Sequence, residues 1–381
     1  MIYIHVPFCR SFCTYCGFYS EICRQDDGSY GRYADAILRE AEDRKEELSQ
    51  HATDSPCTLY IGGGTPSVLP LSVLRRIVEG IRSLVPEEAS RWEEFTVELN
   101  PDDVLRGGPA YLAGLKGLGV TRVSMGIQSF DDGVLKWMNR RHDSRQAEQA
   151  FRLLRSSGFG DISIDLIFGY GSDGLEESVA RAVGLFPEHI SAYQLSVEEG
   201  SALEEMVQKG LFREAEPELC RQQYDFLCRS LADAGYEHYE ISNFALPGHR
   251  AVHNSGYWRH CRYVGLGPGA HSFDGMRKRS WNEPVSGELR TGGEELSDMD
   301  LAQERLMLGL RTSDGVDPSL VAQDAAYSRM LGCGALVRTD EGRIRIPESR
   351  FFVSDDIIAE LTPAHPDATL HLRKKNIDIS K

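Results

Sequence analysis

From residue 1 to about 245 the chain alternates short runs of β-branched and aromatic residues with longer stretches whose apolar positions recur at helical spacing. The short runs are "IYIHV" (2–6), "TLYI" (58–61), "FTVEL" (95–99), "RVSMGI" (122–127), "ISIDLIF" (162–168) and "ISAYQLSV" (190–197), and they predict strands. The longer stretches include "YADAILREAEDRKEEL" (33–48), "LSVLRRIVEGI" (71–81) and "RQAEQAFRLLRSSG" (145–158), and they predict helices. Strictly alternating elements imply βα units and a parallel sheet. Six units suit a partial (β/α)6 barrel at least as well as an open sheet, and periodicity alone leaves that choice open.

The pattern changes after residue 245. Residues 247–294 are rich in Gly, Pro, His, Arg and aromatics, with little periodicity. "DLAQERLMLGLRTSDG" (300–315) predicts a helix ending near a glycine, and residues 318–361 predict a small helix-and-hairpin module with "ALVRTDEGRIRI" (335–346) as its two-stranded wing. The expected organisation is an α/β core over 1–245, an irregular segment over 246–295, a smaller helical, winged-helix-like domain over 296–365 and a tail over 366–381. No repeat beyond the βα alternation is visible.

Composition narrows the function classes. At 381 residues the chain exceeds what one core usually serves, so a large domain plus a smaller one is the default. No apolar run approaches the length that crosses a bilayer. The opening "MIYIHVPFC" lacks a charged leader, an apolar core and a small-residue cleavage site, which predicts no export. Nine cysteines is an odd number and most are scattered, so a reducing cytoplasm is expected. A net charge of -16 argues against nucleic acid, whose affinity rests on cationic side chains neutralising phosphates.

The exception to the scatter is "CRSFCTYCGF" (9–18), with Cys9, Cys13 and Cys16 spaced C-x3-C-x2-C. Three thiolates suit a soft metal centre. A structural zinc would need a fourth ligand, for which Cys23 is poorly spaced and His5 is the alternative. A four-iron cluster held by three cysteines keeps one iron open to an exogenous ligand. The other unusual residues gather at predicted strand ends: "GGGTP" (62–66) after the second, Glu98 ending the third and Gln128 after the fourth, with Asp165 inside the fifth. Parallel α/β architectures build their sites at the carboxyl ends of strands, so these features predict one mouth with the cysteine loop on its rim.

The cysteine spacing, with the aromatic Tyr15 just before the third cysteine, resembles the radical S-adenosylmethionine superfamily, and "GGGTPS" (62–67) resembles its glycine-rich motif. Glycines there let backbone groups approach a ligand without Cβ interference. "YIHVPFC", "VELNPDD", "RVSMGIQSF", "SIDLIFG", "YEISNFALPG" and "GLGPGAHSF" extend the resemblance to the oxygen-independent coproporphyrinogen oxidase group, and within it to the HemW-type heme chaperones. The resemblance implies a [4Fe–4S] cluster on Cys9, Cys13 and Cys16. It also implies S-adenosylmethionine contacts at Tyr3, Tyr15, Gly63, Gly64, Thr65, Glu98, Gln128, Arg140 and Asp165.

Two features separate the relatives. The decarboxylating enzymes carry a further cysteine two residues after the triplet, where this chain has Phe18, and a longer segment ahead of the cysteine loop, where it has eight residues. "HNSGYW" (253–258) matches the H-N-x-x-Y-W motif associated with heme in the chaperones. It implies His253 as axial ligand, with Tyr257 and Trp258 against the macrocycle; His249, His260 and His271 are other imidazoles in reach. Arg250, Arg259 and Arg262 are candidate partners for the propionates. In the family a winged-helix-like module follows the "GLR" helix, and here the stretch "GVDPSLVAQDAAYSRMLG" reads as shortened. The expectation is a heme chaperone that hands heme to acceptor hemoproteins at the membrane. The first alternative is an oxygen-independent coproporphyrinogen III dehydrogenase, and the second a radical methyltransferase on the same scaffold.

Overall fold

The computed structural model describes residues 1–23, 28–50, 55–171, 174–283 and 291–362. The β-rich runs form strands β1 (Ile2–Val6), β2 (Thr58–Gly63), β3 (Glu94–Leu99), β4 (Arg122–Gln128), β5 (Ile162–Phe168) and β6 (His189–Gln194). They pair in parallel in chain order. Between and after them run α1 (Ser29–Asp43), α2 (Leu71–Leu84), α3 (Pro101–Leu118), α4 (Ser144–Ser156), α5 (Leu175–Leu185) and α6 (Pro217–Asp233). This is the partial (β/α)6 barrel. It does not close on itself: β7 (Glu237–His238) and β8 (Asn243–Ala245) add antiparallel beyond β6, and β9 (Val264–Leu266) adds in parallel outside β1.

The strands alternate in a way that locates the site. Leu59, Ile61, Phe95, Val97, Val123, Met125, Ile162 and Ile164 are buried in the core, and successive strand residues point to opposite faces. The intervening positions Tyr60, Thr96, Glu98, Arg122, Ser124, Ser163 and Asp165 line the barrel cavity instead. A parallel sheet covered by helices on both faces reads as continuous apolar runs. The polar alternation here means that the inner face encloses a site. Helix α2 shows the outer layer's logic: Leu74, Ile77, Val78 and Ile81 form one buried stripe, each worth about 1.5–3 kcal/mol when fully buried.

Residues 246–295, expected to be irregular, hold real elements. Helix α7 (Val252–Trp258) lies across the amino-terminal end of the barrel, and its first turn is capped by a strand side chain: Glu94 accepts from the Val252 N–H at 2.7 Å and the His253 N–H at 3.0 Å. After β9 comes a three-stranded antiparallel sheet of β10 (His271–Phe273), β11 (Lys278–Asn282) and β12 (Thr291–Glu295). Elements of three to seven residues carry no readable period, and β9 is specified by a partner far away in sequence, with Ile2 opposite Val264.

The C-terminal module begins with α8 (Asp298–Leu310), which opens on a capping box between Ser297 and Asp300. The stretch read as shortened still forms α9 (Ala325–Gly332), before a hairpin of β13 (Val337–Arg338) and β14 (Ile344–Arg345), and α10 (Ser354–Leu361). Tyr327, Met330, Ile344 and Phe351 join the barrel's own core, with Phe351 edge-on to His238 at 4.9 Å. The tail 366–381 lies outside the described residues. No described helix is long and apolar enough to cross a membrane.

Candidate functional site

The cysteine loop leaves β1 and folds over the carboxyl ends of the strands. It is pinned there by the Thr14 N–H to Met138 O at 3.1 Å, the Thr14 hydroxyl to Trp137 O at 2.8 Å and the Asn139 amide to Phe12 O at 2.7 Å. Arg10 adds an ion pair to the buried Asp103 at 3.4 Å. Asp103 also takes Arg141 at 2.9 Å and Arg106 at 3.1 Å, so loop, β3–α3 turn and β4–α4 segment are tied together.

Cys9, Cys13 and Cys16 all line the barrel cavity, with Tyr15 beside them. His5 is not a fourth ligand: its ring nitrogens are paired with the Tyr3 hydroxyl at 3.0 Å and Tyr19 O at 2.9 Å. Cys23 is buried and is not among the residues lining the cavity. Among the described residues no three thiol, imidazole or carboxylate groups are placed to share a single metal ion. A [4Fe–4S] cluster would take each thiolate on a different iron. Burial pushes the Cys9 thiol above its ordinary pKa, opposed by its hydrogen bond to Thr65.

The glycine-rich turn meets this loop. At Gly63, φ is +108° and a Cβ would stand 2.7 Å from the His5 ring; its N–H donates to Glu98 at 3.1 Å. At Gly64 a Cβ would sit 2.9 Å from Val6 O, 3.0 Å from Phe8 O and 3.1 Å from the Cys9 sulfur. Only glycine fits, because the backbone itself packs against the cluster loop. Thr65 lies 3.4 Å from the Cys9 sulfur. Arg140 is clamped by the Cys13 sulfur at 3.3 Å, Asn100 Oδ1 at 2.7 Å and Gly126 O. Its Nε is buried with no partner among the described residues. Gln128 (φ 72°) follows an irregularity in the β4–β5 register that turns it over the cavity. Asp165 accepts from the Ser124 hydroxyl at 3.2 Å.

Every residue expected at the cluster or at S-adenosylmethionine therefore lines one mouth, except Tyr3, which stands behind the wall against Tyr60 with ring centroids 6.0 Å apart. Sequence reasoning missed Asn100, which bridges Arg140 and Thr65, and Tyr60, whose hydroxyl donates to Glu98 at 2.7 Å. The signal for Asn100 was its place directly after β3. Tyr60 gave none, since a tyrosine within a strand reads as core.

The "HNSGYW" residues lie at the opposite end of the barrel. His253 is 1% exposed; its ring nitrogens are paired with the Thr58 hydroxyl at 2.7 Å and the Tyr257 hydroxyl at 2.9 Å. Burial, helped by the chain's amino terminus, drives its pKa well below the usual histidine value. The His253 ring rests on Tyr60 at 5.1 Å, which links this floor to Glu98 in the mouth. The other imidazoles are dispersed: His249 lies 3.6 Å from Asp161, His260 pairs with Glu304 at 3.1 Å, and His271 is exposed on β10 beside Trp281. Of the arginines suggested for propionates, Arg250 is paired with Glu237 and Asp314, and Arg262 donates to Gln50 O and Glu47 O.

The sequence matches the family model described as the Radical SAM superfamily over residues 3–181. It is 34% identical to the heme chaperone HemW of Synechocystis sp., over 82% of this chain and 78% of that protein. It is 32% identical to the heme chaperone HemW of Bacillus subtilis, over 86% of this chain and 87% of that protein. Among solved structures, coproporphyrinogen III oxidase (HemN) from Escherichia coli superimposes with a TM-score of 0.76 at 20% identity, covering 95% of this chain and 89% of that one. At that identity the likeness speaks to the fold alone.

Proposed function

Because the chain belongs to the radical S-adenosylmethionine superfamily and, within it, to the HemW-type heme chaperones, we propose that it carries heme in the cytoplasm and hands it to acceptor hemoproteins at the membrane. Cys9, Cys13 and Cys16 would hold the [4Fe–4S] cluster, which in its reduced state would be the one-electron donor to the sulfonium of a bound S-adenosylmethionine. Gly63 and Gly64 offer backbone groups to that ligand, and Arg140 offers its guanidinium to the carboxylate. Glu98 and Asp165 accept from hydroxyl or amino groups. The observation that carries this part is the convergence of the thiols, glycine turn, Arg140 and carboxylates on one cavity.

Heme is the cargo, with His253 as axial ligand. In the conformation described here the imidazole is turned into the barrel and both its nitrogens are paired. Ligation therefore requires the His253 imidazole to leave Thr58 and Tyr257. The test is an anaerobic heme titration followed in the Soret region, wild type beside His253→Ala. Saturation near one heme per chain that weakens in the variant supports a carrier. Absence of heme binding by the wild type sinks the proposal, and turnover of coproporphyrinogen would then install the dehydrogenase reading. For the cluster, Cys13→Ser should fail to retain a full complement of iron and sulfide after reconstitution.

A further inference from the structure

The asparagine that opens α3 is diverted from the task its position favours. Asn100 occupies the N-cap, where this residue type ordinarily accepts a hydrogen bond from the first helical turn, yet its side chain makes no such bond. Its backbone is held in place, with its N–H donating to the Ser67 hydroxyl at 3.1 Å and its carbonyl accepting from the Asp103 and Val104 N–H groups at 3.0 Å each. The amide turns instead into the barrel mouth. There Oδ1 accepts from Arg140 at 2.7 Å, and Nδ2 donates to the Thr65 hydroxyl at 3.3 Å.

Both partners continue to a cysteine of the triplet. Arg140 Nη1 lies 3.3 Å from the Cys13 sulfur, and the Thr65 hydroxyl lies 3.4 Å from the Cys9 sulfur. Chemistry fixes every direction: a guanidinium has only donors, and a thiolate that ligates iron has no proton to give. Arg140 therefore claims Oδ1, which leaves the amide N–H groups for Thr65. The threonine oxygen, already accepting from Asn100, turns its own O–H onto Cys9. One amide thus spans two of the three sulfurs, joining the turn after β2, the start of α3 and the segment between β4 and α4. Thr65 is buried, and so is the Arg140 Nε, so these bonds act where the dielectric is low.

Resting on the cluster reading, we infer that Asn100 is a positioning residue for the iron–sulfur site: it aims the Thr65 O–H at Cys9, holds the Arg140 N–H on Cys13, and so raises the potential at which a cluster there accepts an electron. Hydrogen bonds to the sulfurs are one of the levers that set such potentials. Reduction adds one negative charge, part of it on the thiolates, and a donor to a more negative acceptor is the stronger bond. The two donors therefore stabilise the reduced state more than the oxidised one, and both depend on the orientation of a single amide.

The experiment is a redox titration of the anaerobically reconstituted full-length protein, without S-adenosylmethionine, followed by the EPR signal of the reduced cluster. Iron and sulfide per chain serve as the control on loading. Thr65→Val keeps the shape and removes the O–H; it should lower the midpoint potential by roughly 59 mV, a tenfold change in a one-electron equilibrium. Thr65→Ser should restore it. Asn100→Asp still accepts from Arg140 but offers Thr65 an acceptor in place of a donor, which draws the O–H away from Cys9, so its potential should also fall. Combining Thr65→Val with Asn100→Asp should lower the potential no further than Asn100→Asp alone, because the O–H has already left the sulfur. Wild-type potentials in both single variants, or shifts that simply add in the double variant, overturn the inference while the cluster reading stands. If the wild type assembles no cluster, that reading falls and takes the role of Asn100 with it.

Discussion

Thr58→Val is predicted to tighten heme binding, although Thr58 touches no heme. The Thr58 side chain is buried and its hydroxyl lies 2.7 Å from a His253 nitrogen; valine keeps the shape and removes the partner. An imidazole nitrogen left buried and unpaired costs about 1–3 kcal/mol. That cost falls on the closed floor alone, because in the open form the nitrogen meets iron or water. If the open form is a minor population, destabilising the closed one by about 1–2 kcal/mol raises the competent fraction roughly 5- to 30-fold, and the apparent Kd falls by the same factor. The assay is the anaerobic Soret titration, with a melting curve to confirm a small loss of stability. An unchanged or weaker heme affinity in Thr58→Val would refute the latch, and with it the idea that His253 must leave the barrel to bind. His253→Ala removes latch and ligand together and should weaken binding, so the two variants move in opposite directions.

Three further outcomes follow from other parts of the structure. Gly64→Ala forces a methyl group against Val6 O, Phe8 O and the Cys9 sulfur; an overpacking cost of about 1–3 kcal/mol should appear as a lower melting temperature and reduced iron per chain. Arg140→Met keeps the bulk but removes the charged donors, one of which reaches the Cys13 sulfur, and should weaken S-adenosylmethionine binding per assembled cluster by roughly 10- to 150-fold in equilibrium dialysis, with iron per chain measured alongside. Burial raises the Glu240 carboxyl from 4.5 to about 7. It therefore binds more protons folded than unfolded across that interval, and its contribution to stability declines as pH rises from 4.5 to about 7, by at most about 3 kcal/mol. Glu240→Gln should flatten that part of the stability profile in urea unfolding measured from pH 5 to 8; an unchanged slope would show that the carboxyl is ionised in the fold.

The sequence by itself determined the six βα units, because burial between strand and helix layers writes a period of two or 3.6 into the chain wherever an element is long enough. It also determined the membership of the mouth. Carboxyl ends of parallel strands fall on one side of the sheet whatever its curvature, so Cys9, Gly63, Glu98, Gln128 and Asp165 had to meet. Tertiary structure decided what local pattern cannot encode. Elements as short as β9 and α7 exist only through distant partners, Ile2 for one and Glu94 for the other. The same long-range packing turned His253 inward onto Thr58 and left Arg259, six residues along, exposed. Spacing in "HNSGYW" could name the residues of a ligand site. Only the helix that carries them, and the floor it closes, decide which of them a ligand meets.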